Sequence, residues 1–110
     1  MVNKDQAFVT LCKRLLILLL IENGVNGVMK ISAATGISRR TIQESLKGLK
    51  CYKCEVEYLG NSRNGGYVVK SWGAIDRKWA IDNIDVMCEA VGIDAFEVSK
   101  ETTGKREFPS

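Results

Sequence analysis

The chain contains no histidine. That absence removes the commonest general base near neutral pH, triads of the Ser-His-Asp type, and most catalytic zinc sites. No pair of carboxylates stands out for acid–base work, and no glycine-rich phosphate loop follows a strand pattern. The sequence therefore predicts a protein that is not an enzyme and needs no cofactor or metal. Long apolar runs are missing too. The densest one, Leu15 to Ile21, is too short to span a bilayer and is bounded by Lys13, Arg14 and Glu22. It is also a poor signal peptide. Asp5 lies in the would-be basic region, Glu22 follows the apolar core directly, and no small-residue cleavage site is near. The expectation is a cytoplasmic protein with no membrane partner.

What is present is an ordinary globular composition. The chain has 110 residues, 45% of them hydrophobic, enough for one core. One domain over residues 1–97 is expected. Residues 98–110 are polar and aperiodic, and they read as a mobile tail. The net charge of +3 says little; its distribution says more. Between Ser38 and Lys53 the cations Arg39, Arg40, Lys47, Lys50 and Lys53 face a single carboxylate, Glu44. Between Gly73 and Glu97 the balance reverses, with Arg77 and Lys78 against Asp76, Asp82, Asp85, Glu89, Asp94 and Glu97. Positive charge is thus gathered on one segment.

That segment carries the clearest local signals. Residues 31–49 read as two short helices joined by a tight turn. Gly36 stands where the chain reverses and a left-handed backbone is needed. Ser38 is placed to cap the next helix. Ile42, Leu46 and Leu49 form its apolar face, and Arg39, Arg40, Gln43, Glu44, Lys47 and Lys50 the opposite one. A basic helix rich in hydrogen-bonding groups, held after a glycine turn, suits the major groove of DNA.

The flanks supply context. Asp5 to about Glu22 predicts a first helix whose stripe includes Phe8, Leu11, Cys12, Leu15, Leu16 and Leu19, while Ile17, Leu18, Leu20 and Ile21 fill its other faces. Such a helix must be covered on more than one side, either by the chain's own C-terminal helix or by a second subunit. After the basic helix (Arg39 to about Lys50), Glu55 to Leu59 and Tyr67 to Trp72 read as strands joined by a turn-rich loop. Arg63 near the loop tip is a candidate for the minor groove, and Asn61, Ser62 and Asn64 for phosphates. A last helix is expected from about Asp76 to Val91, with Trp79, Ile81, Ile84, Met87, Cys88 and Val91 as its stripe.

The cysteines pull in another direction. Cys51 and Cys54 have the spacing of a metal knuckle or redox pair. A structural zinc site needs four ligands, and without histidine the only other thiols are Cys12 and Cys88. Those two fall on apolar stripes, as buried small hydrophobes do. Free thiols are the plain reading; oxidation of Cys51 with Cys54, tilting the basic helix against the strands, is the regulatory one.

The spacing Ala34, Thr35, Gly36, Ile37, Ser38, Arg39, Thr41, Ile42, Leu46, Leu49 resembles the helix-turn-helix of small bacterial winged-helix regulators. Ser32, where alanine is usual, and Thr41, where a capping box has Glu or Gln, depart from it. The stretch from Trp72 to Trp79 is similar to the segment after the wing in some small prokaryotic proteins of this kind. The resemblance implies an α+β fold: a winged helix-turn-helix, with a three-helix core, a two-stranded wing, a long N-terminal helix and an added C-terminal helix. It implies a transcriptional regulator binding double-stranded DNA, dimeric through its first and last helices. Arg39, Arg40 and Gln43 would reach bases or phosphates, Ser38, Thr41 and Lys47 phosphates, and Arg63 and Asn64 the wing contacts. The alternative is a winged-helix module that contacts protein instead.

Overall fold

The structure is a computed structural model that describes residues 6–61, 64–94 and 96. The expected tail, residues 98–110, lies outside them. Helix α1 (Gln6–Glu22) is followed by α2 (Val28–Thr35), α3 (Arg39–Gly48) and a 3-10 turn (Leu49–Tyr52). Strands β1 (Glu55–Leu59) and β2 (Gly66–Ser71) form an antiparallel hairpin. Helices α4 (Arg77–Asp82) and α5 (Ile84–Val91) complete the order. Among the described residues no helix is long and apolar enough to cross a membrane.

The dense apolar run explains the architecture. Two buried clusters meet on α1. Cys12, Leu15, Leu16 and Leu19 pack with Ala80, Ile84, Met87 and Cys88 of α4 and α5. Ile17, Leu20 and Ile21 pack with Ile31 of α2 and Ile42 of α3. Residues at 100° steps along a helix reach both sides of it, so an axis lined all round needs two layers of cover. Both layers come from this one chain. A second subunit is not required to bury α1.

The last helix differs from the single one that the periodicity predicts. It breaks at Asn83, whose backbone leaves the helical region at φ −118°. The Asn83 amide Nδ2 donates to the Trp79 carbonyl at 2.8 Å, on which its own backbone N–H also converges. A side chain competing for a carbonyl in this way loosens the helical ladder. The basic helix is likewise shorter than Arg39 to Lys50, since its end tightens into the 3-10 turn at Leu49.

In the hairpin, Val56 opposes Val69 and Tyr58 opposes Tyr67, so these four share one face. Val56 and Val69 reach both clusters, which fixes the hairpin against α1 and α3. The Tyr58 and Tyr67 rings meet edge to face at 5.0 Å. The Tyr67 N–H donates to the Asn26 carbonyl at 2.8 Å, tying β2 to the α1–α2 connection.

Candidate nucleic-acid interface

The basic helix is fixed at both ends by its own sequence. Gly36 closes α2 at φ +81°, with its N–H on the Ser32 carbonyl at 2.8 Å. Nothing crowds the site of a Cβ there, so the demand is for the left-handed backbone and not for space. Ser38 Oγ then accepts from the Thr41 N–H at 3.1 Å and lies 2.9 Å from Thr41 Oγ1. Ser38 thus caps α3 from one side only: the Thr41 hydroxyl meets the Ser38 hydroxyl, and not the Ser38 N–H that a capping-box Glu or Gln would engage.

The far end is held by a contact from α1. The Arg14 guanidinium lies where a Cβ on Gly48 would be, with its carbon 2.5 Å from that position. Arg14 Nη1 donates to the Tyr52 hydroxyl at 2.8 Å, and the cation sits 5.6 Å from the Tyr52 ring centre. Any larger residue at position 48 displaces it. A second clamp fixes the hairpin root. Glu22 at the end of α1 accepts from Trp72 Nε1 and from Arg77 Nε, both at 2.8 Å. The Arg77 and Glu22 side chains are largely buried, which makes this pair far less screened than a surface bridge.

Presented on this frame, Ser38, Arg39, Arg40, Gln43 and Lys47 are exposed and Thr41 is half-buried. Ile42, Ser45 and Leu49 face inward. Arg40 pairs with Glu44 at 3.2 Å, the two side chains 87% and 63% exposed. Such a bridge holds the guanidinium only loosely. Gln43 and Lys47, three and seven residues on from Arg40, line a cleft of about 440 Å³ with Leu46, Lys50, Val56 and Tyr67. Lys50 and Tyr67 are therefore neighbours of the predicted contacts. Their signal in the sequence was weak: position 50 is reached only by counting along the helix, and position 67 only by knowing how the hairpin docks.

At the hairpin tip, Asn64 is exposed and its N–H donates to Asn61 Oδ1 at 2.7 Å. That bond engages the Asn61 carbonyl oxygen within the turn. Arg63 and Ser62, candidates for the grooves and phosphates, lie outside the described residues.

The cysteines divide. Cys51 is exposed, whereas Cys54 is buried with its thiol on the Trp72 carbonyl at 3.2 Å. Burial pushes the Cys54 thiol above its ordinary range, and burial does the same to Cys12 and Cys88, both inside the α1–α5 contact. Thiols held protonated are poor nucleophiles and poor metal ligands.

Comparison with known proteins agrees with this geometry. A family model described as a winged helix-turn helix matches residues 5–91. The crystal structure of a DUF2131 family protein from Shewanella amazonensis SB2B superposes with a TM-score of 0.76. It is 21% identical, and the match covers 84% of this chain and 92% of that one. At such identity the likeness shows the fold. No curated protein matches the chain.

Proposed function

The chain belongs to the winged helix-turn-helix family, and from that premise we propose that it binds double-stranded DNA as a transcriptional regulator. Helix α3 enters the major groove and the β1–β2 wing approaches the minor groove. Arg39, Arg40 and Gln43 reach bases or phosphates near the N-terminal end of α3, and Thr41 and Lys47 reach phosphates. Ser38 acts mainly as the cap, because its oxygen already serves Thr41. Arg63 and Asn64 are the wing contacts of this reading. The protein acts by binding, without catalysis, in the cytoplasm.

One observation carries the proposal. Among the described residues, Arg39, Arg40, Gln43 and Lys47 are exposed on a helix whose opposite face is buried, while α5 packs along α1. A module built for protein contact would hide these cations or oppose them with acids. Here a single carboxylate of α3, Glu44, stands among them in a loose pair with Arg40, while Asp82, Asp85 and Glu89 belong to the C-terminal helices. A homodimer through the N- and C-terminal helices is part of the reading on narrower support: Trp79 and Val86 are 42% and 50% exposed on α4 and α5. Sedimentation at the concentrations used for binding tests it.

The decisive experiment is a titration of random duplex DNA at several salt concentrations. Wild type should lose affinity steeply as salt rises, because phosphate contacts release counterions. Arg39→Ala with Lys47→Ala should flatten the log–log slope by about 1.8, roughly 0.9 per lost contact. Absence of binding at low salt would overturn the DNA reading in favour of a protein-contact module.

A further inference from the structure

The face of α4–α5 turned away from the core is both acidic and apolar. The only charged residues of α5 are Asp85 and Glu89. They stand four apart in sequence, so they share one helix face about a turn from each other, and both are exposed. Val86 lies beside them at 50% exposure. Trp79 on α4 is 42% exposed, although the predicted stripe turns it inward. An indole left in water is costly, and tryptophan is prominent among the side chains that anchor protein contacts.

The cleft beside α3 has the complementary make-up. It holds about 440 Å³, and Leu46, Val56 and Tyr67 give it an apolar lining. Among the described residues, Lys47 and Lys50 are the charged ones that line it. They stand three apart in sequence. Two cations and two anions, each pair about one helical turn apart, can meet in register. Both faces turn away from α1, on which α3 and α5 pack. They therefore cannot meet within one copy of the chain.

We propose that the α4–α5 face of one copy docks into the α3 cleft of a second copy. Trp79 then rests on Leu46, Val56 and Tyr67, while Asp85 and Glu89 pair with Lys47 and Lys50. Such a contact joins two different patches. Each end of an assembly keeps one patch unfilled, so the contact propagates into open chains and does not close into a two-fold dimer. It also covers Gln43 and Lys47, so assembly and DNA exclude each other at α3. The protein thereby blocks its own basic helix when DNA is scarce. This inhibitory role rests on the DNA reading above; the contact itself does not. Salt separates it from a two-fold dimer through the same helices. The two-fold contact sets acid near acid and tightens as salt screens the repulsion, whereas the head-to-tail contact loosens.

Sedimentation velocity without DNA, at protein concentrations far above those of the DNA titration, reads the contact. At low salt the average mass of wild type should keep rising with concentration, past that of a dimer. It should fall when salt is raised about tenfold. Asp85→Lys/Glu89→Lys and Lys47→Glu/Lys50→Glu should each lose the chains. Mixing these two variants should restore assembly, because each retains the face that the other has lost. Trp79→Ser should weaken association about tenfold or more at unchanged charge. All of these positions are exposed, and thermal melts by circular dichroism verify that each variant stays folded. A wild type that stays monomeric at low salt, or an assembly that survives either charge reversal, overturns the contact. Assembly that strengthens with salt overturns it in favour of the two-fold dimer. Random duplex should dissolve the chains, and chains that persist with DNA bound overturn the inhibitory role. If wild type assembles in this way but binds no DNA, the DNA reading falls and the contact stands; if it binds DNA but never assembles, the DNA reading stands alone.

Discussion

Helix α3 and the pair α4–α5 do the same structural work with opposite charge. Each buries an apolar stripe in one of the two clusters around α1. On its outer side α3 presents Arg39, Arg40, Lys47 and, just past its end, Lys50. The outer side of α4–α5 presents Asp76, Asp82, Asp85 and Glu89, with Lys78 paired to Asp82 at 2.8 Å. The molecule is therefore electrically two-sided while its net charge stays small. A polyanion is drawn to one layer and repelled by the other, which orients the encounter before any side chain touches a base.

The most disruptive way to break this contrast is to remove what both layers share. Leu16 is fully buried against the C-terminal layer, and Leu16→Ala should cost about 2–5 kcal/mol, read by urea unfolding. Both faces should be lost in one transition; separate loss of the α4–α5 layer would mean that the two layers fold independently. Next in size is a comparison of the layers by binding. Removing two anions by Asp85→Asn with Glu89→Gln should leave the DNA salt slope unchanged, in contrast to the drop of about 1.8 expected when Arg39 and Lys47 are removed. Equal effects from the two sides would erase the contrast.

Smaller effects sharpen it. Gly36→Ala forces a side chain into a left-handed backbone and should cost about 1–2 kcal/mol. The caps provide a matched pair, because Ser38 caps α3 and Asp76 caps α4 through the Trp79 N–H at 3.2 Å. Ser38→Ala and Asp76→Ala should each cost about 1 kcal/mol by thermal unfolding, but only the first should weaken DNA binding beyond its effect on stability. Glu44→Ala is the mildest, with a stability change of about 0.5 kcal/mol or less. By freeing Arg40 it should raise DNA affinity slightly, and a loss would show that Glu44 itself makes a contact.

The turn was legible in the residues because its signals are local. Gly36, Ser38 and the stripe of Ile42, Leu46 and Leu49 lie within a few residues of each other, where backbone geometry and helical periodicity operate. The two strands of the hairpin were legible for the same reason. The break at Asn83 was not, since it depends on whether one side chain wins a carbonyl from the backbone. The seat of Arg14 on Gly48 was not either, because it joins residues far apart in the chain. Nor could periodicity choose what covers Leu18 or Ile21: it assigns residues to faces without identifying the neighbour.

Order of elements, the reversal at Gly36 and the separation of charge along the chain are properties of sequence, because each depends on nearest neighbours or on composition. Where the charges end up is a tertiary matter. Packing of α3 and α5 against different sides of α1 turns a linear separation into two opposed surfaces. Docking of the hairpin beside α3 brings Lys50 and Tyr67 to one cleft with Gln43 and Lys47. Burial of apolar surface drives both arrangements, and burial is decided only when distant stripes find each other.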